Sequence, residues 1–183
     1  RMWDRLCDIL NAAQGKRVLI VGDFMLDRYL YGDAERISPE APVPVLRIIR
    51  ENSALGGAGS VAADVAALGA KCHCVGVLGA DTDAQQVRDM LAARGAVARG
   101  LIPDPTRPTT RKTRLIGLAQ HRHRQQLIRI DEEVVSPVND AITSELIKQV
   151  DAVIGQCDAI CLEDYGKGVM TPGLVAAVLL AAS

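Results

Sequence analysis

Three groups of polar residues each close an apolar run of strand length: Asp23 with Asp27, Gly79-Ala80-Asp81, and Glu163-Asp164 with Lys167. Between the first two, Gly56, Gly57 and Gly59 form a glycine turn that opens a small-residue helix. An ionised carboxylate only accepts hydrogen bonds and can take protons from two hydroxyls at once. A helix start offers unpaired N–H groups and the positive end of a dipole. Carboxylates around such a turn suit a polyhydroxylated ligand. Each feature also has a plain structural reading on spacing alone. The turn lets a helix pack closely on a sheet, Asp27 caps a turn, and Asp164 caps the loop before Pro172. Other chemistries fit less well. A dinucleotide fingerprint should follow the first strand directly, and Gly22-Asp23-Phe24-Met25-Leu26 is not one. No Walker-type lysine loop occurs. In Cys72-His73-Cys74, strand alternation sets the imidazole on the face opposite the two sulfurs, which argues against metal.

The elements that must position these groups alternate. Residues 2–14 read as an amphipathic helix with Trp3, Leu6, Ile9 and Leu10 on one face, ended by Gly15. Arg17 to Asp23 is a buried strand closed by glycine. The glycine-led helix carries Val61, Val65 and Leu68 and ends at Gly69. Cys72 to Leu78 is the next strand, Thr82-Asp83 caps a helix ended by Gly95, and Val97 to Ile102 is a short strand. Asn139 or Asp140 caps a later helix, and Asp158 to Glu163 is a further strand. Thr171 and Pro172 start a last helix. Strand–helix alternation predicts an α/β domain, a three-layer α/β/α arrangement with a mainly parallel sheet. Residues 28–50, with prolines at 39, 42 and 44, break that pattern. So do 109–131, two extended runs flanking the polar tip 120–124 that holds His121 and His123. Both segments read as a small accessory sheet inserted into the main domain.

At 183 residues and 49% hydrophobic, the chain suffices for one sizeable core. A net charge of −1 gives no electrostatic footprint for nucleic acid. No apolar run is long enough to span a membrane, and no signal-peptide pattern is present. The five cysteines are too few and irregular for a disulfide framework. These features predict a reduced, cytoplasmic protein. The terminal helix stops in apolar residues, so the sequence reads as part of a longer chain, with Leu174, Val175, Val178 and Leu179 short of cover.

Several ordered motifs carry a resemblance. They are Gly22 to Tyr29, Arg36-Ile37-Ser38-Pro39-Glu40-Ala41-Pro42-Val43-Pro44-Val45, the Leu55–Asp81 block, Pro108 to Arg114, Gln125 to Asp131, and Asp164-Tyr165-Gly166-Lys167-Gly168. From about residue 16 to the end, the chain resembles the ribokinase-like carbohydrate kinases. Within them it is most similar to the heptose 7-phosphate kinases that feed lipopolysaccharide core synthesis. The resemblance implies a Rossmann-like domain whose lid, here 28–50 and 109–131, covers the sugar and pairs subunits as a homodimer. It implies that Asp27 holds sugar hydroxyls, that Gly56 and Gly57 contact the sugar, and that Asp164 belongs to the same site. Ser60 stands where those kinases usually have asparagine, which removes one polar group from the sugar site. Lys112, Arg114 and Arg129, on lid-like strands, are the candidates to meet a sugar phosphate; the plain alternative is a solvated strand-face charge.

The reaction implied is transfer of the ATP γ-phosphoryl group, with Mg2+, to the anomeric hydroxyl of a heptose 7-phosphate. In the family, a Gly-Ala-Gly-Asp motif near the C-terminus supplies the base and anion hole. This sequence has none, so catalytic residues are expected beyond Ser183, and the 183-residue chain alone is expected to be inactive and to hold no nucleotide tightly. Two other readings stand beside this one: a non-catalytic sugar-binding or dimerisation module derived from such a kinase, and an unrelated sugar-phosphate enzyme of the same layered architecture.

Overall fold

Leu19, Ile20 and Val21 lie in one strand and are all fully buried, so that strand is covered on both faces and sits centrally. The computed structural model describes residues 2–118 and 124–183. Of the expected tip at 120–124, all but Arg124, including His121 and His123, falls outside the described residues. In chain order the first elements are α1 (Met2–Ala13), β1 (Arg17–Gly22), β2 (Phe24–Ile37), β3 (Pro44–Gly57), α2 (Ala58–Ala67), β4 (Lys71–Leu78) and α3 (Thr82–Ala92). Then follow β5 (Val97–Pro103), β6 (Arg111–Gly117), β7 (Gln125–Glu132), α4 (Asp140–Asp151), β8 (Ala159–Glu163) and α5 (Pro172–Ala181), with one 3-10 turn at Ile154–Gln156.

The main sheet has the order β5-β4-β1-β8 and every pair in it is parallel. Ile20 packs with Ala58 and Ala62 of α2 and Val87 and Leu91 of α3 in one apolar cluster. Leu19 and Val21 face the other way, onto Leu146 and Val150 of α4 and Leu174 and Val178 of α5. The three-layer α/β/α arrangement is thus the one the alternation predicts. Cys72 and Cys74 are buried in β4, where desolvation pushes the Cys74 thiol, next to Cys72, up to about 12.

A second four-stranded sheet, β3-β2-β6-β7, is built from the segments that broke the pattern. Its pairs are antiparallel, parallel and antiparallel in turn. Asp83, which is 8% exposed, ties it to the main body. It accepts hydrogen bonds from Arg28 of β2 at 3.4 Å and Arg111 of β6 at 2.6 Å.

Four local expectations change. The cap of α3 is Asp81, whose carboxylate accepts the Ala84 N–H at 2.8 Å, and not Thr82 or Asp83. Asp27 lies inside β2, not in a loop after β1, because the chain turns from one strand to the next at Asp23. Leu174 and Val178, expected to lack cover, are 0% and 1% exposed, since α5 packs on α4 and β1; Leu179 of that group is 60% exposed. The apolar stripe of α1 forms but buries nothing: Trp3 is 72% exposed. The remaining caps agree with expectation. Thr171 accepts the Leu174 N–H, Asn139 accepts the Ile142 N–H, and Gly69 and Gly95 have positive φ.

Candidate functional site

The turn from β3 into α2 is built around Asp23. Its carbonyl oxygen accepts the Ala58 N–H at 2.9 Å, which pins the first helical residue against the end of β1. Gly57 has φ +54, and a side chain there would run into that same carbonyl. No side chain caps α2 at Gly57, so the helix start is presented without a protein acceptor of that kind. The Asp23 carboxylate, in a residue 1% exposed, turns the other way. It accepts the backbone N–H groups of Tyr165, Lys167 and Val169 at 2.8, 3.1 and 3.4 Å, so it shapes the loop after β8. Asp23 therefore builds the site's frame.

Asp27 stands beside the same turn. A Cβ on Gly56 would lie 2.9 Å from Asp27 Oδ2, so the missing side chain is the space the carboxylate fills. Oδ1 accepts a hydrogen bond from Arg114 at 2.7 Å. Burial works against the Arg114 charge, but the hydrogen bond and charge of Asp27, with Tyr29 and Asp131 nearby, outweigh it and hold the guanidinium pKa above its ordinary value.

Sheet register places the cations. Asp27 pairs with Lys112, and Lys112 with Asp131. The next rung on the same face runs Asn52, Tyr29, Arg114, Arg129. Beyond it, Tyr31 stacks on Tyr29 with ring centroids 6.4 Å apart and carries the Arg50 guanidinium at 4.1 Å. One face thus holds Asp27, the four cations Arg50, Lys112, Arg114 and Arg129, and two aromatic rings. Arg129 is tied to Asp131 at 2.8 Å. The Lys112 side chain makes no hydrogen bond or ion pair among the described residues.

The structure therefore brings Asp27, Gly56, Gly57 and Lys112 together, with Arg129 one rung on and two strands away. Ser60 is half-buried in the first turn of α2. Asp164 is exposed, and its carboxylate accepts the Gly166 N–H at 2.8 Å within its own turn. Of the polar groups at the strand ends, Asp81 is taken up by the fold: it accepts the Thr109 N–H and hydroxyl, both at 2.7 Å. Sequence reasoning overlooked Tyr29 and Asn52 as members of this face. Their signal is two-residue spacing from Asp27 and its partner Ala54, which is readable only once the register is known.

Residues 16–163 match the pfkB family carbohydrate kinase. The chain belongs to the pfkB carbohydrate kinase family. It is 42% identical over 181 residues to the bifunctional protein HldE of Caulobacter vibrioides, covering 99% of this chain and 36% of that protein. It is 43% identical over 165 residues to HldE of Paramagnetospirillum magneticum, covering 90% and 33%. The chain thus spans about a third of the length of the curated relatives it matches. Among solved structures it resembles Thermotoga maritima 2-dehydro-3-deoxygluconokinase, with a TM-score of 0.63, 17% identity, and 92% of this chain and 47% of that one covered. It also resembles Arabidopsis thaliana ribokinase complexed with ribose and ATP, with a TM-score of 0.58, 15% identity, and 92% and 50% covered. These two likenesses concern the fold.

Proposed function

We propose that this chain supplies the sugar site and lid of an ATP-dependent kinase that converts heptose 7-phosphate to heptose 1,7-bisphosphate. The observation that carries the reading is the Asp27 carboxylate lodged against Gly56 at an uncapped helix start, with Lys112, Arg114 and Arg129 on the same face. A carboxylate and a helix start without a side-chain cap suit ring hydroxyls, and guanidinium forks suit a phosphate. Asp27, Gly56, Gly57, Ser60 and Asp164 are assigned to the sugar end, and Lys112, Arg114 and Arg129 to the phosphate end. The second sheet is the lid, and its outer face pairs subunits as a homodimer.

ATP with Mg2+ is the phosphoryl donor in this reading. The chemistry of transfer is assigned to parts of a longer chain, and this segment binds and orients the acceptor.

Calorimetric titration of the 183-residue chain with heptose 7-phosphate, alongside an assay of ADP release with ATP and Mg2+, tests both halves. Saturable sugar-phosphate binding without turnover is expected. Turnover at an ordinary kinase rate, roughly 1 s⁻¹ or more, overturns the assignment of catalysis elsewhere, and absence of binding overturns the sugar site.

A further inference from the structure

Arg114 is held on the very carboxylate that ring hydroxyls would need. Oδ1 of Asp27 accepts it at 2.7 Å, while Oδ2 rests beside Gly56. Only 19% of the Asp27 side chain and 21% of the Arg114 side chain are exposed, so salt screens this pair weakly. Yet Arg114 belongs by register to the rung of Arg129, about 7 Å along the strand from that of Asp27. That is the order of separation between a ring hydroxyl and a phosphate on the terminal carbon of the same sugar. One guanidinium therefore lies within the reach of both ends of such a ligand. The side chain of its neighbour Lys112 has no competing partner among the described residues, so the phosphate end starts with two engaged cations, Arg114 on Asp27 and Arg129 on Asp131, and one available one.

On the sugar-phosphate reading above, we propose that Arg114 couples the two ends of the substrate. Without an anion it occupies Oδ1 of Asp27 and lowers affinity for hydroxyls. A phosphate gathered by Lys112 and Arg129 draws Arg114 onto itself and leaves both Asp27 oxygens to accept from neighbouring hydroxyls. The site thereby rejects unphosphorylated sugars by a contact made in their absence, since a sugar without phosphate has to compete with Arg114 for the carboxylate. Linkage makes the effect reciprocal: phosphate strengthens sugar binding by the factor by which sugar strengthens phosphate binding.

The test titrates the 183-residue chain with unphosphorylated heptose, with and without saturating inorganic phosphate, and with heptose 7-phosphate. In the wild type, inorganic phosphate is expected to raise heptose affinity about fivefold or more. Arg114→Gln is expected to bind unphosphorylated heptose more tightly than the wild type, to lose the response to phosphate, and to bind heptose 7-phosphate less well. A role for Arg114 in merely propping Asp27 predicts the opposite sign for unphosphorylated heptose, so weakened heptose binding by the variant overturns the proposal. Heptose binding in the wild type that ignores phosphate also overturns it, and decides the matter even where the variant does not fold. Failure of the wild type to bind any heptose removes the sugar site itself, an outcome distinct from sugar binding without coupling.

Discussion

Asp23 accepts the backbone N–H of Tyr165 at 2.8 Å across 142 residues of chain. Two further N–H groups, of Lys167 and Val169, converge on the same carboxylate. A buried donor left unpaired costs about 1–3 kcal/mol. Asp23→Ala is therefore expected to lower stability by about 3–5 kcal/mol in urea denaturation. Asp23→Asn keeps one acceptor oxygen and should lose less.

Asp27→Ala separates ligand binding from folding. The residue lies in β2 with its side chain on the cation-bearing face, so the substitution removes the Arg114 pair without opening the apolar core. Charge-assisted hydrogen bonds contribute about 1.5–3 kcal/mol each. Calorimetry of the folded variant is expected to show at least a tenfold loss of heptose 7-phosphate affinity, with a far smaller change in the urea midpoint.

Gly57→Ala addresses the turn itself. At φ +54 the alanine is strained, and its Cβ meets the Asp23 carbonyl and the end of Met25. Backbone strain and overpacking each cost about 1–3 kcal/mol. A stability loss of about 2–4 kcal/mol is expected, together with loss of sugar binding, because α2 has to shift away from Asp27.

Acid should weaken the buried pair of Asp104 and Arg107 within the loop before β6. Burial tends to raise the Asp104 carboxyl, but hydrogen bonds from Thr106 and the charge and hydrogen bond of Arg107 outweigh it and hold it below the ordinary carboxylate value. A folded value below the unfolded one stabilises fully above the unfolded value, and the benefit disappears as pH falls through the folded one. The stability gap between wild type and Asp104→Asn should therefore be widest near neutrality and narrow below about pH 4. Denaturation curves across that range check the sign.

Ile128 and Ile130 of β7 are 54% and 48% exposed, on the face turned away from Arg129. An uncovered sheet invites pairing with a second copy. Sedimentation at micromolar concentration is expected to show a homodimer, and Ile130→Glu a monomer. A monomeric wild type counts against pairing through this sheet.

The main sheet was legible because β1, β4 and β8 are apolar runs closed by glycine or by acidic residues, and because caps such as Thr171 and Asn139 act within three residues. Sequence pattern passes over Asp81 as the cap of α3 because Thr82 and Asp83 are also cap-forming types. The choice among them rests on Thr109, 28 residues on, whose N–H and hydroxyl both seek the Asp81 carboxylate. The parallel pairing of β2 with β6 left no local trace at all, since its register matches residues 85 apart, such as Leu26 and Arg111. The partnership of Asp27 with Arg114 follows from that register. Sequence pattern found both residues but could not bring them together.

The central place of β1 also sets a timetable for synthesis. Its neighbour β8 and the N–H groups that satisfy Asp23 are made much later, Tyr165 lying 142 residues after Asp23. A ribosome adds about 5–20 residues per second, so β1 waits on the order of ten seconds for the strand that completes it. Throughout that interval one edge of β1 and the Asp23 carboxylate have only water or a chaperone for company. A pause in translation anywhere between β1 and β8, the strands of the second sheet included, would prolong that exposure by its full length.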